Sequence, residues 1–118
     1  MRRTHGTAPR ALGRSALIPP GEGRVFEVDG QRIAVFRTRQ GQLFAAQADC
    51  PHRQGPLADG LVGGGHVVCP LHGFRFDLRT GEPIGHSCDP LTTYGIEETA
   101  EGELMLGPAH ERRETVRA

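Results

Sequence analysis

Two short segments containing cysteine and histidine constrain the fold of this 118-residue chain more than any other feature. The first is Cys50-Pro51-His52 and the second is Cys69-Pro70-Leu71-His72, so the spacing is C-x-H, sixteen residues, then C-x-x-H. Both segments begin with Cys-Pro, and both follow a run of residues that is typical of a β-strand. Each is therefore predicted to form a loop at a strand tip, with one cysteine and one histidine directed at a common point.

Strand and turn signals alternate along most of the chain. Residues 24–28 lead into Asp29-Gly30, a typical two-residue hairpin turn, and residues 31–38 return as a second strand. Further strands are predicted for residues 42–47, 74–79, 91–98 and 103–106. With 17 glycines, 9 prolines and 5% aromatic residues, the pattern predicts an all-β fold with an antiparallel sandwich or barrel as its base.

The length suits one small domain. We expect this domain to cover residues 17–107, with a small ligand-binding subdomain at about residues 46–81. Residues 1–16 are rich in arginine and are predicted to be a mobile tail, although residues 11–17 could instead pair as a first strand. Residues 108–118 are predicted to be a second, polar tail.

The charge balance excludes several classes of partner. Fourteen basic and fourteen acidic residues give no net charge, which argues against nucleic acid and against an anionic membrane as partners. No apolar run approaches the length of a membrane helix, and the N-terminal segment lacks the apolar core of an export signal. We therefore expect a cytoplasmic location, where three cysteines are metal ligands or thiols rather than a disulfide framework.

Two cysteines and two histidines can hold either an iron–sulfur cluster or zinc. In a [2Fe–2S] cluster, two neutral imidazoles in place of two thiolates make the site less negative, so it accepts an electron more readily. Structural zinc motifs use the same residue types but favour two to four residues between paired ligands, whereas one residue separates Cys50 from His52. The pattern favours the cluster and leaves a structural zinc-binding module as an alternative.

At these residues the sequence resembles the Rieske family. The family pattern is matched by Cys50, His52, Cys69 and His72, and residues 55–57 (Gly-Pro-Leu) and 76–81 (Phe-Asp-Leu-Arg-Thr-Gly) resemble segments that follow its ligand loops. The resemblance implies the Rieske iron–sulfur fold, in which residues 46–81 form the cluster-binding subdomain. It also implies one [2Fe–2S] cluster per chain, with the two cysteines on one iron, the two histidines on the other, and one-electron transfer as the function.

Four positions differ from the high-potential, quinol-oxidising branch of that family. In that branch each ligand loop carries an extra cysteine and the two form a disulfide, whereas this chain has Gly55 and Leu71 there. A serine and a tyrosine of that branch donate hydrogen bonds to cluster sulfurs, and here Phe74 and Phe76 take their places. The chain thus resembles the soluble ferredoxin branch, with a less stabilised reduced state.

Two groups of that branch are compatible with the sequence. The preferred interpretation is the small subunit of an assimilatory NAD(P)H nitrite reductase, which this chain resembles at residues 32–37, residues 76–81 and Cys88. The alternative is a free ferredoxin that serves a ring-hydroxylating dioxygenase. Either way the chain is expected to be a carrier rather than an enzyme by itself, taking electrons from a reductase and passing them to a large catalytic subunit or an oxygenase.

Two further residues, His86 and Cys88, lie between the second motif and the last predicted hairpin. The ligand set is complete without Cys88, so we expect this thiol to play no part in cluster binding. His86 lies in the same loop and is expected to be a solvated surface residue.

Overall fold

The computed structural model describes residues 9–51, 55–71 and 73–110. Within these ranges the regular structure is almost entirely β, which confirms the predicted fold class. Short 3₁₀-helices cover Ser15–Leu17 and Leu57–Asp59. The strands are β1 (Arg10–Arg14), β2 (Glu22–Val28), β3 (Gln31–Arg37), β4 (Leu43–Gln47), β5 (Leu61–Val62), β6 (His66–Val68), β7 (Arg75–Asp77), β8 (Pro83–Ile84), β9 (Thr93–Glu98) and β10 (Glu103–Ala109).

Six strands form the base of the molecule. They lie in the order β1-β10-β9-β4-β3-β2, and every neighbouring pair is antiparallel. The β2–β3 hairpin turns at Asp29 and Gly30, both with positive φ (53° and 81°). Positive φ at both central residues is the backbone geometry that suits the twist of a two-residue hairpin. The observed turn is therefore the two-residue hairpin turn that the sequence predicts.

The other four strands form a smaller antiparallel sheet in the order β5-β6-β7-β8. Strand β3 packs between the two parts of the molecule, because its residues alternate between two buried clusters. Ile33 and Val35 contribute to the core of the base, whereas Ala34 and Phe36 join the core that contains Cys50 and Cys69. The smaller sheet is therefore anchored to the base through a strand that is buried on both faces.

The base sheet reaches past both limits predicted for the domain. Strand β1 pairs with β10, and β10 continues to Ala109. This arrangement is closer to the predicted alternative, in which residues 11–17 pair as a first strand, than to a mobile tail. The edge of β10 provides the backbone hydrogen-bond partners of β1. The remaining residues of the predicted tails, 1–8 and 111–118, lie outside the described residues.

Strand β7 ends at Asp77, two residues earlier than the alternating pattern predicts. The Asp77 carboxylate accepts a hydrogen bond from the N–H of Arg79 (2.7 Å), and the Asp77 carbonyl accepts one from the N–H of Gly81 (2.6 Å). An aspartate that bonds the backbone two residues on offers an alternative to sheet pairing, and this turn therefore ends the strand.

Candidate metal centre

The first predicted ligand loop begins just after β4. The N–H of Leu57 donates to the carbonyl of Ala48 (3.0 Å), and the N–H of Cys50 donates to the carbonyl of Gly55 (2.8 Å). These bonds close the loop at its base. The cysteine is completely buried, so its position is fixed by the sheet and by the loop closure together.

The second predicted ligand loop follows β6 and is closed in the same way. The N–H of Cys69 donates to the carbonyl of Phe74 (2.7 Å), and the N–H of Gly73 donates to the carbonyl of Cys69 (3.0 Å). Gly73 has a φ of 74°, a backbone conformation that favours glycine. In both loops the cysteine N–H reaches the carbonyl five residues later, which gives the two Cys-Pro segments one local geometry.

Gly55 is where the two loops meet. A Cβ atom placed on this glycine would lie 2.8 Å from Cys69 Sγ and 3.0 Å from Leu71 Cγ. The two loops are therefore in close contact, and the positions of Gly55 and Leu71 face each other, as the comparison with the disulfide-bearing branch implies. The contact also brings the loops of Cys50 and Cys69 together, as the spacing predicts.

The predicted histidine ligands cannot be located in the same way, because His52 and His72 lie outside the described residues. Within the described ranges, no three His, Cys, Asp or Glu side chains converge. The described part of the chain thus supplies the two thiols of the candidate centre, and the assignment of the histidines stays a prediction.

The surroundings of the two thiols are compatible with a metal centre. Cys50 and Cys69 share a buried core with large apolar side chains that include Phe76 and Leu57. Within the described residues none of the three cysteines forms a disulfide. A thiolate is the form that binds metal, and a charge in apolar surroundings requires a positive partner. An iron centre provides that partner, so the cysteines fit a cluster.

Cys88 and His86 lie beside this core. The Cys88 thiol donates to the carbonyl of Asp89 (3.3 Å), and desolvation together with the Asp89 carboxylate raises the pKa of the thiol. His86 is half-buried rather than the fully solvated surface residue expected from the sequence, and its ring centroid lies 3.9 Å from that of Phe74 and 5.5 Å from that of Phe76. The pairing of β8 with β7, which turns the chain back toward the second loop, has no strong signal in the sequence.

Known proteins resemble this chain in two distinct ways. The biphenyl dioxygenase ferredoxin subunit of Pseudomonas sp. (strain KKS102) is 38% identical over 91 residues, which cover 75% of this chain and 81% of that protein. The 4beta-methylsterol monooxygenase of Methylococcus capsulatus is 54% identical over 48 residues, and the match spans 41% of this chain but 13% of that protein.

Solved structures share the fold. The ferredoxin of carbazole 1,9a-dioxygenase from Nocardioides aromaticivorans IC177 has a TM-score of 0.75 and 28% identity, covering 86% of this chain and 99% of that one. A second carbazole 1,9a-dioxygenase ferredoxin, solved in complex with the reduced oxygenase, has a TM-score of 0.74. An NADH-dependent nitrite reductase small subunit from Mycobacterium tuberculosis has a TM-score of 0.77 at 22% identity, covering 89% and 96% of the two chains.

The protein-family model of the Rieske [2Fe-2S] domain matches residues 9–95 of this chain. This range includes both Cys-Pro loops and both buried thiols. The match therefore decides between the iron–sulfur cluster and the structural zinc site, which the residue types alone leave open. The cofactor is a Rieske cluster rather than zinc, its role is electron transfer, and the chain belongs to the Rieske [2Fe–2S] domain family.

Proposed function

We propose that this chain is the ferredoxin component of a ring-hydroxylating oxygenase system and carries single electrons from a reductase to the oxygenase. The observation that carries the proposal is the extent of the sequence match. The match to a dioxygenase ferredoxin extends over most of both chains, whereas the match to the sterol monooxygenase is confined to a small part of that protein. The match thus covers most of a known carrier protein, and this coverage supports a carrier role for the chain.

This proposal replaces the sequence-based preference for a nitrite reductase small subunit. The likeness to that subunit is one of fold alone, because the sequence identity is 22%. The carbazole dioxygenase ferredoxin is similar in both fold and sequence. The alternative drawn from the sequence, a free Rieske-type ferredoxin, is therefore the better-supported interpretation.

Within this proposal, Cys50 and Cys69 bind one iron and His52 and His72 bind the other. When bound, the cluster supplies a one-electron redox centre. The buried side chains of Phe76 and Leu57 keep water from the two cysteines. By contrast, Leu71, which lies between Cys69 and His72, is 50% exposed. This difference in burial supports an electron port at the histidine end of the two loops.

The proposed partners follow from the role of a carrier. A reductase is the electron donor and an oxygenase is the acceptor, in keeping with the ferredoxin–oxygenase complex of the carbazole system. We place both exchanges in the cytoplasm, the location expected from the sequence. None of the helices in the described ranges is long and apolar enough to span a membrane.

The first test is the metal content of the full chain. Anaerobically purified protein should be brown and contain two irons and two acid-labile sulfides per chain, as a [2Fe–2S] cluster requires. In the reduced protein, an EPR signal with an average g below that of all-cysteine [2Fe–2S] proteins is expected. Colourless protein with one zinc per chain would contradict the cluster.

The second test separates the two acceptors. The loaded chain is added to the reductase and oxygenase of a naphthalene dioxygenase system, and formation of the oxygenated product is followed. A parallel assay adds the chain to the large subunit of an NADH-dependent nitrite reductase and follows nitrite consumption. Product formation that requires the chain and is lost in Cys50→Ser supports the proposal, whereas stimulation of nitrite consumption alone would overturn it.

A further inference from the structure

His86 is brought beside the second ligand loop by the pairing of the two strands that follow that loop. Strands β7 and β8 are antiparallel, with Arg75 opposite Ile84 and Phe76 opposite Pro83. The chain that leaves β8 thus runs back toward the start of β7. The positive φ of Gly85 (80°) turns the backbone just before His86.

The His86 side chain contacts three consecutive residues where the second ligand loop leads into β7, namely Phe74, Arg75 and Phe76. Its Nε2 lies 3.0 Å from the carbonyl oxygen of Arg75. Its ring is tilted by 46° against that of Phe74 and meets that of Phe76 edge-on at 87°. The same Phe74 accepts the N–H of Cys69 through its carbonyl (2.7 Å), so His86 holds the residue that closes the loop of a predicted ligand.

The hydrogen bond to Arg75 determines which ring nitrogen carries the proton. A carbonyl oxygen only accepts, so Nε2 must be the donor, and in the neutral ring Nδ1 can then only accept. Nδ1 is buried and has no hydrogen-bond partner in the described part of the chain. Because thiolate and sulfide sulfurs are also acceptors, the neutral ring cannot donate to the cluster. A neutral His86 ring therefore does not replace the side-chain donors that Phe74 and Phe76 lack.

We propose that His86 is a positioning residue for the cluster, acting on the second ligand loop through its bond to Arg75 and its packing against Phe74. This inference rests on the proposed ligation by Cys69 and His72, and it assigns to His86 a part in setting cluster retention and reduction potential. When the contacts are lost, the Phe74 carbonyl and the Cys69 N–H separate more easily and water reaches the buried cysteine. Water stabilises the reduced site, which carries one more negative charge, so the potential should rise.

Three variants separate the two contacts. His86→Ala removes both, His86→Phe keeps an aromatic ring without the donor, and His86→Gln keeps a side-chain N–H without the ring. The control is His110→Phe, since His110 is bonded through Nδ1 to the Thr93 hydroxyl (3.0 Å) in the base sheet. All four are prepared anaerobically as full, loaded chains. Iron content, the rate of bleaching by an iron chelator, EPR g values and the midpoint potential are measured.

We expect His86→Ala to bleach several-fold faster than the wild type, with a higher midpoint potential and shifted g values. His86→Phe and His86→Gln should each fall between the wild type and His86→Ala, and the control should match the wild type. If His86→Ala does not retain a cluster, the graded loss in the other two variants is the decisive measurement.

A loaded His86→Ala protein that matches the wild type in bleaching rate and potential would overturn the inference. So would wild-type values in both His86→Phe and His86→Gln. A wild-type chain that holds no cluster would contradict the proposed function instead. The two failures are therefore distinguishable.

Discussion

At the scale of single residues, the contact between the two ligand loops depends on the absence of a side chain at Gly55. In Gly55→Ala the new Cβ would lie 2.8 Å from Cys69 Sγ, so the thiol must move. Overpacking of this kind costs about 1–3 kcal/mol, and we expect a markedly lower iron content per purified chain. Gly64→Ala is the matched control, because a Cβ there meets no atom within 4 Å. Equal iron content in the two variants would show that the loops separate without cost.

The ligand assignment predicts different outcomes for the cysteines. Cys50→Ser and His72→Ala should each abolish or destabilise the cluster, since each removes a bond to iron. Cys88→Ser is the internal control and should leave visible absorbance and iron content nearly unchanged. Metal analysis and the absorption spectrum check all three. Bleaching in Cys88→Ser would show that the ligand set is wrong.

The environment of Cys88 also predicts how fast its thiol reacts. Desolvation and the neighbouring Asp89 carboxylate raise the pKa of this thiol. The thiolate is the nucleophile, so at neutral pH a smaller fraction of Cys88 is reactive than of free cysteine. Alkylation of the loaded protein by iodoacetamide should therefore be slower than that of free cysteine, and its rate should rise with pH to a plateau at higher pH. A neutral-pH rate equal to that of free cysteine would contradict this.

The residues of the candidate site differ in how far the sequence reveals them. Cys50 and Cys69 are evident from their spacing, because paired ligand motifs depend on residue type and separation alone. The importance of Gly55 and His86 depends on which atoms meet across two loops, and neither contact is local in sequence. An isolated histidine is usually solvated, so no sequence signal indicates that His86 packs against Phe74 and Phe76.

At the scale of elements, Gln47 links β4, the start of β9 and the first ligand loop. Its side-chain amide donates to the carbonyl of Asp49 (2.8 Å), and its side-chain oxygen accepts the N–H of Thr92 (2.7 Å). Gln47→Ala should lower the free energy of unfolding by about 1–2 kcal/mol and accelerate cluster loss. Circular dichroism melts and chelator bleaching measure these effects. Gln31→Ala, at an exposed position in β3, is the control, and equal behaviour of the two variants would contradict the link.

The sequence predicts the elements of the base better than those of the smaller sheet. The β2–β3 hairpin is evident because Asp29-Gly30 is flanked by apolar runs, and the observed turn matches. Strands β5 and β8 have two residues each, too few for any alternation to emerge. Their position is set by pairing with β6 and β7, and such tertiary contacts leave little trace in the local sequence.

At the scale of the whole molecule, the arrangement places both cysteines in the core and leaves Leu71 of the second loop exposed. Strand β3 is buried on both faces and joins the base to the core that contains the two thiols. The base thus acts as a rigid support for two loops that must hold their ligands in a fixed geometry.

The reduction potential depends on the whole environment of the cluster. Two neutral imidazoles should raise it above the value of about −400 mV for plant-type all-cysteine ferredoxins. The residue types at four positions do not raise it further, since Gly55 and Leu71 exclude the loop disulfide, and the side chains of Phe74 and Phe76 have no group that could donate to sulfur. We expect a potential on the order of −150 mV, at the bottom of the Rieske range, whose top is about +300 mV. Voltammetry at neutral pH measures it. A value above roughly +150 mV, in the upper part of that range, would mean that other residues of this chain supply the missing hydrogen bonds.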